Sequence, residues 1–188
     1  MIKGLVRLAA LLAAGVGLAW GVDRWLGGRR RPADGESVPD PIRSTIEIGV
    51  PIERVWVRLA DIERQPEWMH DLKWVRLITP GPVRVGTRAE GLVRILGIGV
   101  PDPVEIIELL PPHDYAVRHG GPFRGSGVFK LAALDDGATR VTWDETLIPP
   151  VFPNLIGLIQ APLLGRVFQA DLERLREQLE IEAVTSPA

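Results

Sequence analysis

The chain has 188 residues, 46% of them hydrophobic, with 22 Lys+Arg against 24 Asp+Glu and a formal net charge of -2. That total conceals a segregation: residues 1–31 carry six bases and one acid, a balance of +5, which leaves -7 on residues 32–188. An acidic body with scattered arginines lacks the electrostatic footprint of a nucleic-acid binder, and the absence of cysteine excludes disulfides, thiolate zinc sites, a cysteine nucleophile and a lipidated cysteine.

From Leu8 to Val22 the sequence LAALLAAGVGLAWGV is uncharged for 15 residues, about 22 Å of helix, and extension to Leu5 and Leu26 gives about 33 Å. A hydrocarbon core is about 30 Å thick, so residues 1–31 are expected to form a transmembrane anchor with a basic flank, Trp20 and Trp25 standing at the interface. A cleaved signal peptide is the rival reading, since Lys3 and Arg7 precede the apolar run. No A-x-A-like site follows that run, and Arg29-Arg30-Arg31 does. The flanking bases favour a single-pass protein with its body on the cytoplasmic side. Residues 32–41 (PADGESVPDP) are rich in proline and acid and read as a tether.

The body, residues 42–183, begins with the alternating segment 43–50, a half-buried strand. Pro51 then suits the first turn of a helix carrying Ile52, Val55, Trp56 and Leu59, and a second short helix spans 62–69. Six extended stretches follow, at 73–79, 87–96, 104–110, 115–119, 125–134 and 139–148. They are separated by turn chemistry: Pro80-Gly81-Pro82, Gly97-Ile98-Gly99 with Pro101-Asp102-Pro103, Pro111-Pro112, Gly120-Gly121-Pro122 and Asp135-Asp136-Gly137. Such short links favour antiparallel neighbours. Leu164, Phe168, Leu172, Leu175 and Leu179 then form one apolar helical stripe, and residues 184–188 read as a disordered tail. The expected fold class is α+β: a curved antiparallel sheet of about seven strands wrapped on a long C-terminal helix, with two short helices after the first strand. One helix about 10 Å wide leaves room for a cavity against such a sheet.

The series Ile46-x-Ile48-x-x-Pro51-x-Glu53-x-Val55-Trp56-x-x-Leu59-x-Asp61, Pro66-x-Trp68, Val85-Gly86, Pro111-Pro112, Gly125-x-Gly127, Gly137-x-Thr139-Arg140-Val141-Thr142-Trp143 and Asp171-Leu172-x-x-Leu175 resembles the START-like, birch-pollen-allergen-like superfamily, SRPBCC. Within it, the series is most similar to the polyketide cyclase/dehydrase and lipid-transport group. The resemblance implies a helix-grip fold with a deep apolar cavity. It does not imply one reaction, because this fold hosts carriers, receptors, cyclases and binding modules.

In the last strand, alternation places Val141, Trp143, Glu145 and Leu147 on one face. An inward Glu145 would be a candidate general acid or base; a solvent-exposed strand end, or an arginine partner, is the plainer alternative. His119 shares parity with Tyr115 and Val117 and is the candidate partner of Glu145, or else a locally bonded strand-end residue. The aromatic residues Trp68, Tyr115, Phe129, Trp143, Phe152 and Phe168 are the candidate ligand-lining set. His70, His113 and His119 lack metal-ligand spacing, so no metal is expected, and no nucleotide fingerprint implies a cofactor. The uncharged stretch between Glu145 and Arg166 reads as the kinked start of the closing helix, or as an apolar portal. The leading expectation is therefore a membrane-tethered domain that binds or carries a hydrophobic small molecule or lipid, with the question of any catalysed reaction left open. The alternatives are a cyclase/dehydratase-like enzyme using Glu145 and His119, and a non-catalytic protein-interaction module. Nothing in these residues names the ligand or an oligomeric state.

Overall fold

A computed structural model describes residues 2–29, 40–95 and 97–185. Helix α1 (Ile2–Arg29) precedes strand β1 (Ile42–Ile48), helix α2 (Ile52–Ala60) and a 3-10 helix (Ile62–Glu67). Strands β2 (Leu72–Leu77), β3 (Arg88–Ile95), β4 (Ile98–Leu110), β5 (Asp114–Gly120), β6 (Arg124–Ala133) and β7 (Thr139–Ile148) follow, and helix α3 (Pro153–Thr185) closes the chain. The strands form one antiparallel sheet in the order β1-β7-β6-β5-β4-β3-β2. This is the α+β arrangement of antiparallel sheet and long closing helix that the alternation and turn residues imply, and the helix-grip fold that the resemblance implies.

Each strand is placed by its period of two. Along β1, Ile42, Ser44, Ile46 and Ile48 are buried while the residues between them face solvent. The inward side chains of Ile46 and Ile48 meet Ile52, Val55 and Leu59 of α2 and Leu172, Leu175 and Leu179 of α3 in one core. Each aliphatic side chain so enclosed contributes about 1.5–3 kcal/mol. Asp171 adds a polar fastening: its Oδ1 accepts from the backbone N–H of His70 at 3.0 Å and from Arg174 Nη1 at 2.6 Å. Arg174 Nη1 also donates to the Trp68 carbonyl at 2.9 Å, which ties the loop carrying Trp68 to α3. Burial pushes the Asp171 carboxyl above its ordinary range, and these hydrogen bonds oppose that shift.

Two expectations are corrected here. The transmembrane anchor expected over 1–31 is not supported, and with it a single-pass location and a membrane partner for the N-terminal helix: no helix among the described residues is long and apolar enough to cross a membrane. The charges Asp23 and Arg24 lie within α1, and Asp23 has a role in the fold. Its Oδ1 accepts from the backbone N–H groups of Asn154 (2.9 Å) and Leu155 (2.8 Å), and its Oδ2 from the Asn154 side chain (3.3 Å). It caps the first turn of α3 from outside that helix, satisfying donors that a helix start leaves orphaned. Asp23→Ala is therefore expected to cost about 1 kcal/mol, the usual worth of such a cap. Hydrogen exchange checks this: the Asn154 and Leu155 amides should lose protection while the β6 amides keep theirs. The tether expected at 32–41 lies outside the described residues except for Asp40 and Pro41, and α3 extends to Thr185, into the expected tail.

The second correction concerns β4. Gly97-Ile98-Gly99 and Pro101-Asp102-Pro103 read as turns, yet the hairpin turns at Gly97 (φ +84°) and β4 is already extended from Ile98. Residues Ile98 to Pro103 pair with β3, whereas pairing with β5 begins only at Val104. Pro101 and Pro103 therefore lie where β4 has a ladder on one side only, the place where a missing N–H is tolerated. The consequence is that Asp102 is held in a strand next to the end of β5.

Candidate functional site

The inner face of the sheet is set by three neighbouring strands in register. Tyr115 faces Phe129, which faces Trp143; two residues further along, Val117 faces Gly127, which faces Glu145; then His119 faces Gly125, which faces Leu147. Because side chains alternate across a strand, these three rows lie on one face. The middle strand contributes phenylalanine to the first row and glycine to the other two. The glycines leave a trough over β6 that side chains from β5 and β7 can cross.

His119 and Glu145 meet across this trough. His119 Nε2 lies 3.0 Å from Glu145 Oε1, and His119 Nδ1 lies 2.9 Å from Asp102 Oδ2. Glu145 Oε2 accepts from Trp143 Nε1 at 2.8 Å. A methyl group on Gly127 would lie 2.5 Å from Glu145 Oε2, so the carboxylate occupies the space that glycine leaves. At Gly125, φ is +152° and a Cβ would run into the Thr146 carbonyl. Gly127→Ala is expected to drive the Glu145 carboxylate off Trp143 and to lower stability by about 1–3 kcal/mol through overpacking. Thermal melting reads the loss, and the same substitution at Gly157 in α3, where an added Cβ meets nothing within 4 Å, is the control and should cause none.

The electrostatics follow from this geometry. Burial opposes a charge on His119, but the hydrogen bond to Asp102 and the proximity of Glu145 more than offset it, and the imidazole is pushed up to about 10. The cluster at neutral pH is an imidazolium between two carboxylates. Tyr115, deeper along the same face, has its phenol raised by burial, which Gln65 opposes only in part.

Beyond the carboxylates lies an aromatic series. Trp143 stacks on Phe129 (centroids 4.8 Å apart) and packs against Phe168 of α3 (4.5 Å); Trp68 meets both Phe129 and Trp143 edge-on at 6.2 Å; Tyr115 lies 6.1 Å from Phe129. Trp68 and Tyr115 are 0% exposed, Phe129 2%, Trp143 5% and Glu145 4%. Trp68, Tyr115 and Phe129 thus form a closed floor of packed rings, whereas Phe168, Gly125, His119 and Leu147 are half-buried and form a rim. Phe152 stands outside the described ring contacts. It is half-buried in a left-handed conformation (φ +47°) just before Pro153 opens α3. The rest of the uncharged stretch ends β7 and starts α3, leaving Val151, Leu158 and Leu163 exposed.

Of the residues singled out in the sequence, Glu145 and His119 converge, and Trp68, Tyr115, Phe129, Trp143 and Phe168 form one assembly. Asp102 was missed because Pro-Asp-Pro reads as a turn. The signal that could have found it is parity, since Asp102 shares one strand face with Val100, Val104 and Ile106. Among the described residues no group of three or more His, Asp or Glu side chains is arranged to hold a metal ion.

Comparison with known proteins agrees with this architecture. Residues 41–180 match the protein family described as "Polyketide cyclase / dehydrase and lipid transport". The Mycobacterium tuberculosis protein named Toxin Rv0910 is 25% identical over 134 residues, covering 70% of this chain and 92% of that one. Among solved structures, the Zhui aromatase/cyclase from Streptomyces sp. R1128 superposes with a TM-score of 0.63 at 17% identity, covering 77% of this chain and 94% of that one. A START superfamily protein from Mycobacterium smegmatis gives 0.60 at 18% identity, covering 74% and 99%. At these identities the structural likeness shows the fold.

Proposed function

Since the chain belongs to the polyketide cyclase / dehydrase and lipid transport family, we propose that it binds a hydrophobic small molecule between the half-buried N-terminal half of α3 and the aromatic floor of the sheet. The observation that carries this reading is the continuity of apolar rings from Phe168 through Trp143 to Phe129, ending at a buried charged cluster. Ligand sites commonly combine an apolar lining with a few converging polar groups. Trp143 and Phe168 serve as the contact surface, Trp68, Tyr115 and Phe129 hold them rigid, and Glu145 and His119 orient the polar end. Nile red, a neutral apolar dye, tests this. It is expected to bind the full chain saturably and to be lost on Phe168→Asp, while Val184→Asp at the exposed far end of α3 leaves binding unchanged. Equal binding by both variants would contradict the proposal.

A second reading has one observation in its favour. Glu145 and His119 converge within 3.0 Å, as an acid/base pair for a cyclase- or dehydratase-like step requires. Against it, efficient proton transfer needs a group whose affinity for its proton lies near the working pH, and His119 is held well above that. The locked imidazolium suits recognition better than proton cycling.

A further inference from the structure

The sheet ends in two edge strands, β1 and β2, and they are built differently. An edge presents unpaired N–H and C=O groups to any further strand, and proteins guard it with bulges and with charged side chains, lysine above all. Strand β2 has both guards. Its register against β3 slips between Leu72 and Trp74, and Lys73 and Arg76 give it two cations and no anion. Strand β1 pairs with β7 over all seven residues without a slip, contains no proline or lysine, and carries two charges of opposite sign, Arg43 and Glu47. Among the described residues, the backbone from Ile42 to Glu47 makes no hydrogen bond beyond its ladder with β7. An open groove of about 450 Å³ runs between β1 and α3, lined by Arg43, Ser44 and the small residues Ala161, Gly165 and Ala170. Helix α3 thus leaves room beside this edge for the side chains of a further strand.

We propose that β1 is a dimer interface, at which two copies of this chain join edge to edge through antiparallel β1 strands centred on Thr45 and continue their sheets as one. Facing residues of an antiparallel pair point to the same side of the sheet. With a twofold axis at Thr45 the two strands overlap along their whole length, Ile42 opposite Ile48, and Arg43 of each copy faces Glu47 of the other. Within one chain Arg43 already faces Asp144 on β7, and Glu47 faces Arg140, as salt bridges of 2.6 and 2.7 Å. The outer face then carries one row across the seam: Asp144, Arg43, and Glu47 and Arg140 of the second copy. Its charges alternate from end to end, and the symmetry produces the row twice. Other positions of the axis fit worse. At Arg43 or Glu47 it sets like charges opposite each other, and at Ser44 or Ile46 it shortens the overlap and leaves one charge facing Thr45. Nothing in this pairing depends on the ligand proposed above.

Sedimentation equilibrium of the full chain at about 100 μM, well above a micromolar dissociation constant, tests the pairing. The expected mass is that of a dimer. Arg43→Glu and Glu47→Arg each place two pairs of like charges across the seam. Each should weaken dimerisation at least tenfold, with circular dichroism showing an unchanged fold. Mixing the two variants in equal amounts should restore the dimer, because every anion of one then faces a cation of the other. A misfolded strand would not be rescued in this way. An unaltered chain that stays monomeric would overturn the proposal and leave the edge to a segment of another protein. A dimer indifferent to both substitutions, or two variants that remain monomers when mixed, would overturn it as well.

Discussion

His119→Leu is expected to destabilise the protein by about 3–5 kcal/mol at pH 7, the usual cost of removing one partner from a buried ion pair. The imidazolium is the positive member of the Asp102–His119–Glu145 cluster, and leucine in its place leaves two carboxylates facing each other across the Gly125 and Gly127 trough. The loss carries a pH signature. Folded His119 is pushed up to about 10 from an ordinary 6.5, so the native state keeps a proton that the unfolded chain has released. The stability carried by that proton is full below about 6.5 and is lost as pH rises through about 10. One such proton gives a downward slope of up to about 1.4 kcal/mol per pH unit. Urea denaturation between pH 7 and 9 should show this fall in the unaltered protein and a flat line for His119→Leu. Equal slopes in the two proteins would mean that the imidazole is not held charged.

The second large effect concerns the floor. Phe129→Ala is expected to cost about 3–5 kcal/mol, because the ring is 2% exposed and touches Trp68, Tyr115 and Trp143 at once. Removing it leaves a void that three rigid aromatic neighbours cannot close. At about 2–4 °C per kcal/mol for a chain of this size, the melting temperature should fall by roughly 10 °C. Trp74→Ala on the exposed side of β2 is the control and should change stability by no more than about 0.5 kcal/mol. A small effect at Phe129 would mean that the rings form a loose lining instead of a packed floor.

These two residues illustrate what could be read from the chain. The face shared by Tyr115, Val117 and His119, and that shared by Trp143 and Glu145, follow from the period of two alone. The convergence of Glu145 with His119 also needed the registers of β5, β6 and β7, which short turns make legible as antiparallel neighbours. The role of Gly127 was not legible, although Gly125-x-Gly127 stood out as a pattern. A missing Cβ acquires meaning only when the Glu145 carboxylate is seen lying where that Cβ would be. Asp102 escaped for a different reason: local turn propensity at Pro101 and Pro103 is overridden by pairing with β3 beyond the end of β5. At the N-terminus, hydrophobicity over 8–22 suggested a span. The contact that gives Asp23 its role lies 131 residues away in sequence, at Asn154, and no local pattern announces it.

The proposed hydrophobic ligand would reach Trp143 and the charged cluster beside it. The indole N–H of Trp143 reports on this directly, since it donates to Glu145 while its ring lies against Phe129 and Phe168. Its resonance in a nitrogen-15 spectrum, assigned by Trp143→Phe, can be followed as 1-decanol is added. A saturable shift of the Trp143 indole signal is expected, with the exposed Trp74 indole unmoved. A Trp143 signal that stays in place across the titration would contradict it.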